Sequence, residues 1–450
     1  MTSATSGQNH QSSTMAEKLL DIGMPRFPIF EQWRLAGLSP PEVDLPPGGL
    51  PIPEVPPNVS AVKINNESAA AAWLTTHIRK PGDVVLALIP AWAGEGATTC
   101  VLPKLVGYNW PETDYPRIDK SETSCLRVTD VRGKGKGCVA ARAVPRGELV
   151  ARERALYIVP RTFLDTQQIA RTAMAMMTPN QRTAILALYN CKSTDPDDVK
   201  GIIGTNGILI PGMPNHDVVY VASSKLSRAS TTGIDFPFVP TIPNNSTPFT
   251  SCCPNATFRW DNASFSGEIR ALRPIPEGEE VTIAYFQEIM AATARRPERQ
   301  KYLDEYNFKC ACAICGRSSK ERSRSDEDRP TIWMSVHDIG KFYREIVHDW
   351  ITRGGNDHTR LLNYLHAVEE ALDREMIFSP ICWIYLARVI VMARCALREA
   401  RPARKWAQRA AQHTRALTGS DGGWDAIAGE PEKCGWWGMW NKPRLRGIWV

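Results

Sequence analysis

The sequence is short of long apolar runs. Its most apolar stretch, SPICWIYLARVIVMARCAL, carries Arg388 and Arg394, which interrupt it too strongly for a membrane span. Residues 1–11 contain no apolar segment, so we expect no secretory leader. No glycine-rich turn lies in a strand–helix unit, which argues against a doubly wound nucleotide-binding fold. The 54 Lys and Arg residues are scattered and the net charge is only +6, so direct nucleic-acid binding is not predicted.

Because no leader is expected, we place the chain in the cytoplasm or the nucleus, where its 12 cysteines stay reduced. Clustered cysteines then indicate metal binding rather than disulfides. Cys310, Cys312 and Cys315 form C-x-C-x2-C, which is one ligand short of a closed tetrahedral site. Cys252 and Cys253 are the other close pair. The alternative is that all of these are small buried thiols without a metal.

The composition changes several times along the chain. Residues 1–57 are polar and then proline-rich, which predicts a disordered start and an extended linker from Pro40 to Pro57. The remaining predicted divisions are an uncertain extension (58–123), a β-rich region (124–316), a charged linker (317–330), a helical region (331–417) and a Trp-rich tail (418–450).

Hydrophobic spacing adds detail to this division. Thr178 is predicted to cap a helix whose Ile185, Leu186 and Leu188 face inward. Three- and four-residue steps predict further helices through two sets of apolar residues: Ile339, Phe342, Ile346, Trp350; and Leu361, Leu365, Val368, Leu372. CWIYLARVIVMARCAL and PARKWAQRAAQHTRAL then predict an antiparallel helix pair, with Trp406, Ala407, Ala410 and Ala411 on one face.

Four segments, in this order, resemble the SET-domain methyltransferases and most closely the fungal relatives of the SET-and-MYND family. They are KGKGCVAARAVPRGELVARERAL, GIIGTNGI, SCCPNATFRWD with IRALRPIPEGEEVTIAYF, and YLDEYNFKCACAIC. The resemblance covers residues 124–316. It implies an α+β protein: a β-rich SET domain of the β-clip, pseudoknot type with a post-SET zinc segment, followed by an all-α, TPR-like domain. No Cys and His cluster has the spacing of a MYND finger, so that module is not expected.

The resemblance implies an S-adenosylmethionine-dependent protein-lysine N-methyltransferase that acts on histone or non-histone lysines. We expect it to be a monomer without membrane association. It supplies Cys252 as the fourth ligand of a Zn²⁺ ion held with Cys310, Cys312 and Cys315, with Cys253 as the fallback. Tyr285 and Tyr306 match tyrosines of the catalytic lysine channel. The positions that match cofactor contacts are Lys134, Gly135, Lys136, Gly137, Asn206, Ser251 and Phe308. Surface turns, caps and core packing are the alternative roles of these residues.

The sequence departs from the family pattern before Ser251. Residues 229–250 form an insert, and Phe249 and Thr250 stand where the family has an Asn-His pair that contacts the cofactor. We hypothesise that the insert is a surface loop or translated non-coding sequence. The alternative function is therefore a catalytically inactive SET scaffold that binds proteins or peptides through its helical domain.

Overall fold

The structure is a computed structural model. It describes residues 49–53, 84–89, 98–103, 115–118, 125–131, 135–160, 173–175, 177–188, 190–192, 198–210, 218–221, 251–261, 263–284, 293–304, 306, 309–353 and 359–441. The predicted disordered start, the insert 229–250, Lys134, Tyr285 and Phe308 lie outside these residues.

Ten strands form three sheets in the described part of the chain. They are β1 (Val84–Ile89), β2 (Thr98–Pro103), β3 (Leu126–Val131), β4 (Gly135–Ala140), β5 (Leu149–Glu153), β6 (Tyr157–Pro160), β7 (Gly207–Ile210), β8 (Val218–Val221), β9 (Ala256–Asp261) and β10 (Ser266–Ala271). The sheets have the orders β1-β2-β6-β8-β7, β5-β10-β9 and β3-β4. All neighbouring strands are antiparallel except the parallel pair β2 and β6. The uncertain extension thus contributes two strands to the largest sheet.

A non-regular segment, residues 279–283, joins the small sheets. Val281 N–H donates to Cys138 O on β4 at 2.9 Å, while Ala256 N–H at the start of β9 donates to Thr282 O at 3.0 Å. The hydrophobic core of this β-rich part is built from the short runs that predicted its strands, because alternate side chains of each strand face inward. Val150, Ile269 and Val281 are among its fully buried members.

Two helices cross the β-rich part: α1 (Pro179–Leu186) and α2 (Asp198–Asn206). Thr178 caps α1 as predicted, because its side chain accepts from Gln181 N–H and Gln181 bonds back to Thr178 N–H. Ile185 and Leu188 are buried, but Leu186 is 54% exposed, so the prediction for Leu186 was wrong. Leu186 is the last residue of α1. Because neighbouring residues of a helix lie about 100° apart around its axis, Leu186 faces away from the side on which Ile185 is buried.

The rest of the described chain is helical. It comprises α3 (Arg296–Asp304), α4 (Ser319–Lys341), α5 (Tyr343–Arg353), α6 (Thr359–Arg374), α7 (Pro380–Ala396), α8 (Ala400–Thr418), α9 (Trp424–Gly429) and two 3-10 turns, Pro431–Lys433 and Met439–Asn441. Helix α7, the most apolar stretch of the sequence, is buried along nearly its whole length because the other helices surround it. Among the described residues, no helix is both long and apolar enough to cross a membrane.

Helices α7 and α8 confirm the predicted helix pair. Only residues 397–399 connect them, which makes them antiparallel neighbours. Trp406, Ala407, Ala410 and Ala411 are all buried, as predicted from their spacing. Whether the helices form a TPR-like array stays a prediction.

The predicted charged linker at 317–330 was wrong. Ser318 caps α4 with a capping box, and the helix runs through Pro330 to Lys341. Its charged residues have fixed partners at the end of α6: Asp328 accepts from Arg374 at 2.9 Å, and Arg329 donates to Glu375 O at 2.6 Å. Because these partners bury Asp328 and Arg329, the segment is part of the helical core instead of a tether.

Both ends of the described chain also contact this helical core. Trp424 and Trp436 of the predicted Trp-rich tail are buried in it, and Trp440 packs on Trp350 with ring centroids 4.5 Å apart. Residues 49–53, predicted as linker, are extended but docked: Leu50 N–H donates to Lys433 O at 2.7 Å and Gly435 N–H donates to Leu50 O at 3.2 Å. Ile52 follows into the same core, so this part of the linker is structural.

Buried charge connects β5, β9 and β10 to the end of α8. Glu268 is fully buried and pairs with three arginines: Arg152 (Nε to Oε1, 2.8 Å), Arg259 (Nε to Oε2, 2.9 Å) and Arg270 (Nε to Oε2, 2.9 Å). Arg259 also donates to Thr418 O at 2.7 Å. Glu268 and Asp261 (Oδ1 to Arg259 Nη2, 3.0 Å) thus hold the guanidinium that joins the β-rich part to the helical part.

Replacing Glu268 with Ala should lower the free energy of unfolding by about 3–5 kcal/mol, because three partly buried guanidinium groups lose their common carboxylate. Urea denaturation measures this change. Glu148→Ala is the matched control, since Glu148 pairs with Arg142 at the surface and its loss should cost less than about 1 kcal/mol. Equal midpoints for the two variants would contradict the prediction.

Candidate metal centre and cofactor site

Four cysteine thiols meet where the β-rich part ends. The Sγ atoms of Cys252, Cys310, Cys312 and Cys315 all lie within 4.8 Å of one another, and in the described part of the chain they are the one such group of three or more metal-ligating residues. Cys252, Cys310 and Cys315 are buried, and Cys312 is half-buried. None of them forms a disulfide. The structure therefore brings together the four residues that the sequence resemblance selected.

Backbone hydrogen bonds place the two contributing segments. Ser251 N–H donates to Ile283 O at 3.3 Å, which holds Cys252 beside the segment that crosses between β4 and β9. On the other side, Cys310 N–H donates to the side chain of Gln300 on α3, and Gly316 N–H closes a turn onto Cys312 O at 2.8 Å. Leu303 of α3 fills the space beside the thiols and is fully buried.

The donor set fits a thiophilic divalent metal. A tetrahedral site with Zn–S bonds of about 2.3 Å spaces its sulfur atoms at about 3.8 Å, which is compatible with the mutual approach of these four sulfurs. Soft thiolates also select zinc over the oxygen-preferring cations. The arrangement can therefore hold one metal ion and, through it, join residue 252 to residues 310–315.

The proton affinities of the thiols show how closely they interact. Hydrogen bonding with Cys252 and its neighbours lowers the pKa of Cys312, because several thiols stabilise one thiolate. The same contacts raise the pKa of Cys310, while hydrogen bonding with Cys252 lowers the pKa of Cys315 to about 7. Four adjacent thiolates repel one another, so complete ionisation of the cluster requires a bound cation.

Cys253, the fallback ligand, is not one of the four grouped sulfurs. Its side chain contacts the hydroxyl of Ser251, with Sγ and Oγ 3.5 Å apart, and also hydrogen-bonds with the Cys312 thiol. Ser251, predicted to contact the cofactor, uses that same hydroxyl to accept from Cys253 N–H at 3.1 Å. In this structure Ser251 therefore shapes the turn that presents Cys252.

The predicted cofactor turn opens strand β4. Gly135 pairs with Val131 and Gly137 with Thr129 across the β3–β4 hairpin. Since residues two apart in a strand share a face, one face of the first half of β4 carries no side chain. A bulky ligand can approach the backbone at the two glycines, which fits the predicted cofactor contact.

Two further predicted residues are described. Asn206 ends α2 and is buried, with its side-chain amide donating to Ile202 O at 2.7 Å. Tyr306, the predicted second channel tyrosine, is half-buried and packs against the cysteine cluster. The ammonium group of Lys192 lies 5.9 Å from the centroid of its ring. Of these two residues, Tyr306 is the one that lies beside the cysteine cluster.

Sequence reasoning missed the role of Asn255. Its side chain donates to Glu280 O at 2.8 Å and accepts from Thr282 N–H at 2.8 Å, so it joins the Cys252 segment to residues 279–283. Its place in SCCPN, three residues after Cys252, was the available signal. Sequence reasoning also missed Arg299, whose guanidinium lies 3.9 Å from Cys315 Sγ.

Comparison with known proteins gives partial matches. Residues 135–286 match the SET domain family. Histone-lysine N-methyltransferase set5 of Schizosaccharomyces pombe (strain 972 / ATCC 24843) is 26% identical over 207 residues, which are 46% of this chain and 55% of that protein. Histone-lysine N-methyltransferase SMYD3 of Mus musculus is 31% identical over 100 residues, 22% of each chain. Histone-lysine N-methyltransferase ATXR2 of Arabidopsis thaliana is 42% identical over 67 residues, 14% of this chain and 13% of that protein.

These matches confirm a SET domain in the central part of the chain, with histone-lysine methyltransferases among its relatives. The chain spans about half the length of the S. pombe relative that it matches and under a quarter of the other two. The helical region lies beyond the SET match, and so do the three clustered cysteines Cys310, Cys312 and Cys315.

Purified wild-type protein should contain about one metal ion per chain, and Cys312→Ser should lose most of it, because three remaining thiols do not close the site. Elemental analysis after dialysis measures both. Cys382→Ser is the matched control, since Cys382 is a buried thiol of α7 outside the cluster. Lowering the pH should release the metal from wild type, as protons compete for the thiolates. Equal metal content in all three proteins would refute the site.

Proposed function

We propose that this chain is an S-adenosylmethionine-dependent protein-lysine N-methyltransferase related to the SET-and-MYND branch, with a zinc-bound post-SET segment. The observation that carries the proposal is the meeting of Cys252 with Cys310, Cys312 and Cys315 beside a region that matches the SET domain. The three relatives are all named as histone-lysine N-methyltransferases, which supports a protein lysine as the substrate.

The residues assigned to the cofactor are those that the family resemblance selected. The side-chain-free face at Gly135 and Gly137 supports a backbone contact with a bulky ligand. We assign Lys134 and Lys136 to its carboxylate and ribose, and Asn206 and Ser251 to further polar contacts. Phe308 is assigned to stacking on adenine. When bound, S-adenosylmethionine supplies a sulfonium methyl group that an amine can attack.

The protein side of the reaction is alignment and deprotonation. The acceptor lysine Nζ must lose its proton before it can attack, and a channel that excludes water favours the neutral amine by lowering the lysine pKa. We assign the hydroxyl groups of Tyr285 and Tyr306 to orient that Nζ. Because Tyr306 packs against the cysteine cluster, metal binding would also fix the position of this tyrosine.

Two observations favour the scaffold alternative. Phe249 and Thr250 replace the Asn-His pair. The side-chain N–H of Asn206 and the hydroxyl of Ser251 already have partners within the protein. Isothermal titration with S-adenosylmethionine separates the two functions. Binding with a Kd on the order of micromolar, about −8 kcal/mol, supports the enzyme. Absence of heat together with intact metal content supports the scaffold.

Tyr285→Phe should reduce methyl transfer by about 10²-fold, because the acceptor amine loses the group that aligns it. The measurement is transfer of a radiolabelled methyl group from S-adenosylmethionine to histones and to lysate proteins. Tyr302→Phe is the control, since Tyr302 is an exposed tyrosine on α3. If wild type and Tyr285→Phe label equally, Tyr285 has no part in the reaction.

A further inference from the structure

Arg299 is a buried arginine beside the cysteine cluster. It lies on α3 with 1% of its surface exposed. One guanidinium nitrogen donates to Ala294 O, and the other lies 3.9 Å from Cys315 Sγ as a hydrogen-bond donor. Among the described residues it forms no ion pair with a carboxylate, in contrast to the buried arginine Arg329. Its charge is therefore directed at sulfur.

A buried guanidinium needs a negative partner, because an unpaired charge inside a protein costs several kcal/mol. Neutral thiols provide no such charge. The surroundings of Arg299 thus fit ionised cysteines, the form that binds metal.

The metal-loaded cluster has the opposite charge. Four thiolates around a divalent ion leave two negative charges uncompensated. We propose, resting on the zinc site of the proposed function, that Arg299 is a positioning residue of the metal centre. It donates to the Cys315 thiolate, offsets part of the charge of the loaded cluster and thereby strengthens metal binding.

The first experiment measures zinc affinity by competition with a chelator. Arg299→Met should bind zinc about 10–100-fold more weakly, the usual effect of losing a partner of a metal ligand, and Arg299→Lys should bind with intermediate affinity. Arg388→Met is the matched control: Arg388 is a buried arginine of α7 that stacks on the ring of Tyr343, away from the cysteines, and its loss should leave zinc affinity unchanged. Unchanged affinity in Arg299→Met would overturn the proposal.

A second experiment uses wild type alone and so does not depend on the folding of a variant. Hydrogen exchange is compared before and after zinc is removed by a chelator. Exchange should increase in α3 around residues 299–303, which carry Arg299, whereas α8 around residues 403–411 should not change. If residues 299–303 keep their protection without zinc, the position of Arg299 does not depend on the loaded cluster and the proposal is refuted.

The outcomes also separate this inference from the proposed function. A wild-type protein without zinc would overturn both. Normal zinc binding with unchanged affinity in Arg299→Met would overturn only the role of Arg299. Normal zinc binding, weakened in Arg299→Met, with no methyl transfer by wild type would overturn the activity and support the role of Arg299.

Discussion

The contact on which the rest of the site depends is the approach of the Cys252 thiol to those of Cys310, Cys312 and Cys315. Two segments far apart in sequence are brought together there with little hydrophobic burial of their own, since Leu303 is the main apolar residue between them. Four thiols in contact are poor at holding a structure together by themselves, because each thiolate repels the next. A cation bound by all four thiolates would offset their repulsion and connect residue 252 to residues 310–315.

Around this centre, the described structure uses buried charge where a larger core would have used apolar side chains. Glu268 pairs with three arginines near the end of α8. Glu375 pairs with Arg317 and Arg329 at the end of α6. The Arg299 guanidinium donates to the Cys315 sulfur. Each of these groups joins elements from different parts of the chain. Buried ionic groups of this kind contribute little net stability but penalise every arrangement in which a partner is missing. They therefore specify how the β-rich and helical parts meet.

Much of the fold was readable from the sequence. The short β-branched runs, the Thr178 cap, the α7–α8 pair and the SET region follow from local pattern and from motif order, and the cysteine group follows from spacing plus resemblance. What failed depended on distant partners. Residues 319–330 look like a linker because their charges are visible in the sequence, whereas Arg374 and Glu375, which bury them, lie more than forty residues away. The tryptophans of the tail show no period because turns, not a regular helix, deliver them to the core. Arg299 carried no signal, since nothing in its neighbourhood along the chain indicates burial.

The short bridge between Leu50 and Cys434 bears on how the protein is made. A ribosome delivers residue 50 long before residue 434, so the groove that receives Leu50 and Ile52 does not exist when this segment emerges. The helical region must form first, and the early segment must stay accessible until then. Completion of the fold is therefore a late event that brings the two ends of the described chain together. A chain lacking the early segment would leave this apolar groove open to other proteins.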